Sequence, residues 1–140
     1  MPGPRLLIFL SAILTGSAVA QDYHRPRGVQ IFSEAELFNQ FVGNSVSNSN
    51  YVEYYVPAAS GQKRGPLRGK SEVYGLYDGD WQIDGELFCI RYHLRLMSAL
   101  GNCYTAALVG QEVRIYRRDG YELYPDGGRL TPISGNPQNL

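Results

Sequence analysis

Two cysteines carry the clearest covalent chemistry in this chain. Cys89 and Cys103 are its only cysteines, and in an oxidising compartment such a pair most simply forms a disulfide. The bond would close a loop of about 15 residues, which corresponds to roughly 3 kcal/mol in the chain-entropy model. Two separate buried thiols are the alternative. There is no CxxC motif, and the two histidines have no ligand-like spacing, so we expect no metal site.

A basic stretch in the middle of the chain is a candidate loop for an anion or a partner. Lys63, Arg64, Arg68 and Lys70 are interspersed with glycines, and no acidic residue interrupts them. Backbone amides combined with these cations are suited to a phosphate group, another anion or an acidic partner. A solvated, flexible hairpin loop is the alternative. The stretch lacks the GK[ST] ending of a Walker motif.

Aromatic residues provide a second candidate surface. The chain has eleven tyrosines and one tryptophan, and we expect an aromatic face to include Tyr54, Tyr74, Trp81 and Tyr92. Tyr54 and its neighbour Tyr55 must point to opposite sides of a strand, so one side could be a barrel interior and the other a binding surface. Ordinary sheet packing is the alternative. A barrel too wide for its side chains would hold a small ligand.

The sequence indicates no catalytic site. It has no GxSxG nucleophile elbow, and we interpret His93 as a surface or rim residue of a strand. Most aspartates lie beside glycine in turn contexts, so they do not form a catalytic pair. We interpret five glutamates as solvent-facing strand residues: Glu53, Glu72, Glu86, Glu112 and Glu122. No cofactor is indicated.

One short helix is predicted after residue 30. Ser33 and Glu36 have the spacing of a capping box, and Phe32 with Leu37 has that of a hydrophobic staple. Gly43 is suited to end the helix in the left-handed conformation. This amphipathic segment is expected to close one end or one face of a sheet.

The remainder predicts a mainly β protein. Seven or eight short strands with frequent turns favour an antiparallel meander curled into a small barrel or sandwich. We expect residues 57–70 to form a loop, residues 71–77 a strand, and the tail from Pro125 to wrap around the sheet without pairing. Asp84-Gly85 predicts a two-residue hairpin loop that sets Trp81 opposite Phe88.

The N-terminus predicts export. Arg5 precedes the apolar run 6–14, and the small-residue triplet 18–20 resembles a cleavage site, as in a secretory signal peptide. The run is too short to span a bilayer, so we expect no transmembrane segment in the mature chain. The predicted organisation is a signal peptide at 1–20, a flexible arm at 21–30 and a single β-rich domain at 31–140. The expected location is the periplasm or the medium.

The charge balance excludes one class of partner. The chain has 13 basic and 13 acidic residues, so it lacks the overall positive charge that favours nucleic acids. The identity of a partner is therefore not indicated by charge alone.

The order of several short motifs resembles small exported proteins of unknown function from alphaproteobacteria. The motifs are Gly43-Asn44, Gly79-Asp80-Trp81, the two cysteines and the C-terminal Gly135-Asn136-Pro137-Gln138-Asn139-Leu140. The resemblance covers about residues 37–140. It implies an exported β-rich domain, and it implies no activity.

These features favour a non-enzymatic binding module for a small apolar ligand or a protein partner. The alternative is a structural or envelope-associated interaction protein without a ligand cavity, and a hydrolase is a third hypothesis. A ligand binder predicts an enclosed cavity lined by tyrosine and leucine. An interaction protein predicts a filled barrel and an exposed apolar patch. A hydrolase predicts that His93 meets a carboxylate in a cleft.

Overall fold

A computed structural model describes residues 23–93, 102–123, 125 and 128–140. Within these ranges one helix and eight strands form, and the strands make one antiparallel sheet in the order β7-β6-β5-β4-β3-β2-β1-β8. The elements are α1 (Glu34–Phe41), β1 (Ser45–Ser47), β2 (Tyr51–Tyr55), β3 (Arg64–Ser71), β4 (Gly75–Asp84), β5 (Leu87–Tyr92), β6 (Asn102–Val109), β7 (Glu112–Tyr116) and β8 (Thr131–Ile133). The prediction of a mainly β, barrel-like fold with one short helix is confirmed. The predicted signal peptide lies outside the described residues.

The helix begins as the capping pattern predicts. The backbone N–H of Glu36 donates to the Ser33 hydroxyl at 3.3 Å, and the backbone N–H of Ser33 donates to the Glu36 carboxylate at 2.7 Å. Gly43 follows the helix with a φ of 78°, a conformation that glycine adopts without a steric penalty. Leu37 and Phe41 are fully buried, so the helix packs its apolar face into the sheet.

The two ends of the sheet meet and nearly close a barrel. Strand β8 pairs with β1, and Leu130, just before β8, exchanges backbone hydrogen bonds with Val113 of β7 at 2.8 and 3.2 Å. The prediction that the tail wraps without pairing is therefore wrong for residues 131–133. Pairing there protects strand edges that would otherwise expose unpaired backbone groups, and Leu130 is buried at the closure.

The prediction of a loop at residues 57–70 is wrong for its second half, which forms β3. Gly65 and Gly69 occupy positions of β3 that face the interior. The rings of Trp81 and Tyr77 fill the space that a Cβ at these positions would need. A Cβ at Gly65 would lie 2.9 Å from the Trp81 ring. These glycines therefore make room for aromatic rings. The turn lies at residues 72–74, inside the segment predicted as a strand.

The hairpin at Asp84-Gly85 forms, but its register differs from the prediction. Asp84 pairs with Leu87, so the loop residues are Gly85 and Glu86, and Trp81 lies opposite Ile90. Gly85 takes a φ of 58°, which fits glycine at the first central position of a hairpin turn. Its N–H also donates to a carboxylate oxygen of Glu34 at 3.1 Å, and this contact ties the turn to the start of the helix.

The described part of the predicted flexible arm contacts the barrel. The Tyr23 hydroxyl donates to the backbone oxygen of Cys103 at 3.0 Å, and the His24 N–H donates to the backbone oxygen of Arg118 at 3.0 Å. Arg25 forms an ion pair with Glu86 at 2.8 Å. Residues 23–25 therefore lie along the outside of the barrel.

No helix within the described ranges is long and apolar enough to cross a membrane.

Candidate functional site

The barrel interior next to the helix is filled by aromatic rings. Phe41 of the helix stacks on Phe88 with ring centroids 4.3 Å apart. Tyr55 meets both rings edge to face, at 5.5 and 5.1 Å. Trp81 is fully buried and meets Phe38 edge to face at 6.2 Å. The space in which a small apolar ligand could bind is occupied here by the protein's own side chains.

The interior also contains a buried carboxylate surrounded by tyrosine hydroxyls. Glu53 on β2 is 2% exposed. The Tyr55 hydroxyl donates to one carboxylate oxygen at 2.9 Å, and those of Tyr77 and Tyr92 donate to the other at 2.8 and 2.7 Å. Burial raises the pKa of Glu53, and the three hydrogen bonds oppose this rise. We call these four residues the Glu53 cluster.

The interpretation of Glu53 as solvent-facing is wrong. Alternation along β2 directs Glu53 to the same face as Tyr51 and Tyr55, and that face is the interior. The local signal for this burial in the sequence was the presence of tyrosines two residues before and two residues after Glu53. Its other hydroxyl donors, Tyr77 and Tyr92, lie 24 and 39 residues further along the chain, so only the sheet topology identifies them.

The residues of the predicted aromatic face lie in different places. Tyr54 is partly buried on the outward side of β2, and Tyr74 is exposed in the turn between β3 and β4. Trp81 and Tyr92 both face the interior, where Trp81 packs against the helix and Tyr92 belongs to the Glu53 cluster. The fold does not bring the four together on one face.

The four basic residues of the predicted anion or partner loop do not form a loop. Arg64, Arg68 and Lys70 point outward from β3, because the alternate positions face the interior. Lys63 precedes the strand and forms an ion pair with Glu34. Arg68 donates to the backbone oxygen of Leu140 at 3.4 Å. The stretch is a row of cations on the outer face of the sheet.

The predicted disulfide is confirmed between Cys89 and Cys103. The two residues lie directly opposite each other on β5 and β6 and are partly buried. The bond therefore joins neighbouring strands at the base of the connection between them.

Removing the disulfide should weaken the fold. The double variant Cys89→Ser, Cys103→Ser is expected to lose about 3 kcal/mol of unfolding free energy, because the unfolded chain regains the entropy of a loop of about 15 residues. Urea denaturation measures the loss, and peptide mapping without reductant should show the linked pair in the parent protein. Equal denaturation midpoints for parent and variant would contradict this stabilising role.

His93 meets carboxylates on the outer face of the barrel. Its Nε2 lies 2.8 Å from Asp80 and its Nδ1 lies 3.7 Å from Asp78. Arg91 also donates to Asp80 at 2.8 Å, and this hydrogen bond is the main reason that the pKa of Asp80 is lowered. The His93 side chain is 42% exposed. His93 therefore meets carboxylates, as the hydrolase hypothesis predicts, but it does so in an exposed network of charges.

Metal ligation finds no support in the described part of the chain, where no group of three or more His, Cys, Asp or Glu residues is placed to hold an ion.

A depression of about 680 Å³ lies over the outer face of β3 to β6. We call it the outer groove. Its polar lining comprises Gln62, Arg64, Asp80, Gln82, Asp84 and Arg91, and both disulfide cysteines also contribute to it. It combines two guanidinium groups, two carboxylates and two side-chain amides on a rigid sheet.

The turn between β3 and β4 exposes large apolar side chains. Val73 is 82% exposed, Tyr74 53% and Leu76 76%. The Tyr74 N–H donates to the Ser71 hydroxyl at 2.9 Å, which helps fix the turn. We call residues 72–76 the hairpin tip.

These observations define the class of the protein by its fold: within the described residues, a nearly closed eight-stranded antiparallel barrel with one short helix packed against its core. Comparison with protein-family models, curated proteins and solved structures found no match for the chain. The resemblance to small exported alphaproteobacterial proteins stays a prediction.

Proposed function

We propose that this protein is an exported, non-enzymatic interaction module that binds a partner protein through the hairpin tip. The observation that carries the proposal is the exposure of Val73, Tyr74 and Leu76 at one turn. Large apolar side chains exposed together are typical of interaction sites. The filled interior beside the helix supports this function over the binding of a small apolar ligand inside the barrel.

Recognition would depend on side chains because the sheet offers little free edge. Strand β8 pairs with β1, and Leu130 pairs with β7, so the two ends of the sheet meet. A partner could not readily add a strand, as it does at an open sheet edge. An apolar pocket on the partner that receives Val73 and Leu76 fits the hairpin tip best.

The charges around the hairpin tip favour a protein partner over an anionic membrane. Glu72 at the start of the tip and Lys70 just before it carry opposite charges, and Arg68 lies opposite Asp78 in the register of β3 and β4. Attraction to anionic lipid needs an excess of Lys and Arg, each contributing about 1 kcal/mol near the surface. The balanced charges supply no such excess.

Export to the periplasm or the medium is part of the proposal. The disulfide suits an oxidising compartment, and the N-terminal sequence has the pattern of a secretory signal. The resemblance to small exported alphaproteobacterial proteins supports the same location.

A comparison of matched surface variants tests the function. The tip variant Val73→Ser, Leu76→Ser should lose at least about tenfold in partner affinity, because two apolar contacts are removed. Leu108→Ser is the control, because Leu108 is an exposed apolar residue on β6. Each variant is immobilised and exposed to an envelope extract of the producing cells. Both variants should keep the parent's unfolding free energy within about 0.5 kcal/mol.

The proposal predicts a polypeptide retained by the parent and by Leu108→Ser, but not by the tip variant. Retention that is equal on all three proteins would contradict it. Tip-dependent binding to vesicles of anionic phospholipid, without a tip-dependent polypeptide, would indicate a membrane surface as the target and would also overturn the proposal.

A further inference from the structure

The outer groove brings together cations that are distant in the sequence. Arg64 lies on β3, and Arg91 lies on β5, with β4 between them. Arg64 pairs in register with Gln82, whereas Arg91 pairs with Asp80 two residues further back on β4. Two strand spacings and the offset of two residues along the strands separate the arginine backbones by roughly 12 Å. Long side chains on the same face of the sheet can span this gap to reach one ligand.

One of the two guanidinium groups is held in place. Arg91 donates to the Asp80 carboxylate at 2.8 Å. The same carboxylate oxygen also lies 2.8 Å from Nε2 of His93. Asp80 therefore restricts the orientation of Arg91. Restricting a side chain before binding lowers the entropy lost when a ligand is bound.

The other guanidinium group is available for a ligand. Within the described residues Arg64 has no ion-pair partner, and its side chain is exposed. The lining contains two guanidinium groups and two carboxylates, Asp80 and Asp84, so its formal charges balance. Asp80 is engaged by Arg91, whereas Asp84 lies two residues beyond Gln82, the register partner of Arg64. Arginine is well suited to carboxylate and phosphate groups because its planar fork can donate two parallel hydrogen bonds.

We propose that the outer groove binds a hydroxyl-bearing ligand through an anionic carboxylate or phosphate group. Arg64 and Arg91 contact the anionic group, and the amides of Gln62 and Gln82 donate to or accept from neighbouring hydroxyls. Both amides line the groove with the arginines. Arg68 and Lys70 belong to the same basic stretch of sequence but lie outside this lining.

The site is tested with two probes that share the anionic chemistry. Inorganic phosphate and glucuronate are titrated separately into the full mature protein, and the side-chain amide signals of Gln62 and Gln82 are followed by NMR. We expect saturable shifts with at least one probe. A response to phosphate alone would assign a phosphate ligand, and a response to glucuronate alone would assign a carboxylate ligand.

Charge-removing variants distinguish the groove from general electrostatic attraction. Arg64→Gln and Arg91→Gln should each weaken binding of the responding probe about tenfold, since each removes a charged hydrogen bond. Arg68→Gln, on the same face of β3, is the matched control and should leave the affinity unchanged. Equal weakening by Arg64→Gln and Arg68→Gln, or no saturable shift with either probe, would overturn the proposal.

This test is independent of partner binding at the hairpin tip. The tip variant Val73→Ser, Leu76→Ser changes no residue of the groove lining, so it should bind the probe as the parent does. Failure of one proposal therefore leaves the other standing.

Discussion

Replacing Glu53 by Ala should lower the free energy of unfolding by about 3–5 kcal/mol. The substitution removes the acceptor for three tyrosine hydroxyls, of which that of Tyr55 is fully buried. A buried donor left without a partner costs about 1–3 kcal/mol. Urea denaturation followed by circular dichroism measures the change. A loss below about 1 kcal/mol would show that the cluster contributes little to stability.

The conservative variant Glu53→Gln isolates the effect of ionisation. Gln keeps an oxygen that can accept hydroxyl hydrogen bonds but cannot ionise. It should therefore retain more stability than Glu53→Ala. If Glu53→Ala fails to fold, the comparison of Glu53→Gln with the parent still tests the cluster.

The same pair of proteins should show a defined pH dependence. Burial raises the pKa of Glu53 in the folded state, whereas in the unfolded chain it is about 4.3. As pH rises, the unfolded state loses this proton first, so the parent loses stability relative to Glu53→Gln until the folded pKa is passed. Below about pH 4 the relative stability should be constant. A relative stability that rises with pH above this value would contradict the direction of the shift.

Replacing Trp81 by Ala should cost about 3–5 kcal/mol, the usual range for truncating a large aromatic residue in a core. Trp81 is fully buried, covers Gly65 and donates from Nε1 to the backbone oxygen of Val56 at 2.9 Å. The variant therefore loses packing on β3 as well as this hydrogen bond. Circular dichroism is the appropriate probe, because Trp81 is the only tryptophan in the chain.

Trp81→Phe is the matched control for the indole. It keeps an aromatic ring but lacks the N–H group, so it should lose less stability than Trp81→Ala. Equal losses in the two variants would assign the effect to the Val56 hydrogen bond and would contradict a mainly packing role.

Local features of the fold were predictable because short-range contacts determine them. The capping of the helix depends on Ser33 and Glu36, which are three residues apart. The disulfide follows from the presence of only two cysteines. The turn at Gly85 was also predictable, but its loop lies one residue later than the sequence predicts. The N–H of Gly85 donates to Glu34, a contact with a distant position that the local pattern does not show.

Features that depend on neighbouring strands were not predictable. Gly65 and Gly69 look like loop residues until Trp81 and Tyr77 are seen to cover them. The tail looked unpaired because it is rich in Pro and Gly, yet three of its residues form β8 with Pro132 in the middle. In both cases the residues that make the segment part of the sheet come from another part of the chain: Trp81 and Tyr77 cover the glycines, and β1 pairs with β8.

The candidate sites were predictable only in part. The sequence singled out Arg64, but its partner in the outer groove is Arg91, which comes from another strand. The hairpin tip was hidden within a predicted strand, since Val73 and Tyr74 have strong strand propensity. Exposure of these apolar residues emerges only when the turn is placed between β3 and β4.

The most direct test of the proposed function is photo-crosslinking from the hairpin tip in the producing cells. A benzophenone amino acid replaces Val73 in one protein and the exposed control residue Leu108 in another. We expect one defined polypeptide adduct from position 73 that is absent from position 108. The same set of adducts from both positions, or only lipid adducts from position 73, would contradict a partner protein bound at the tip.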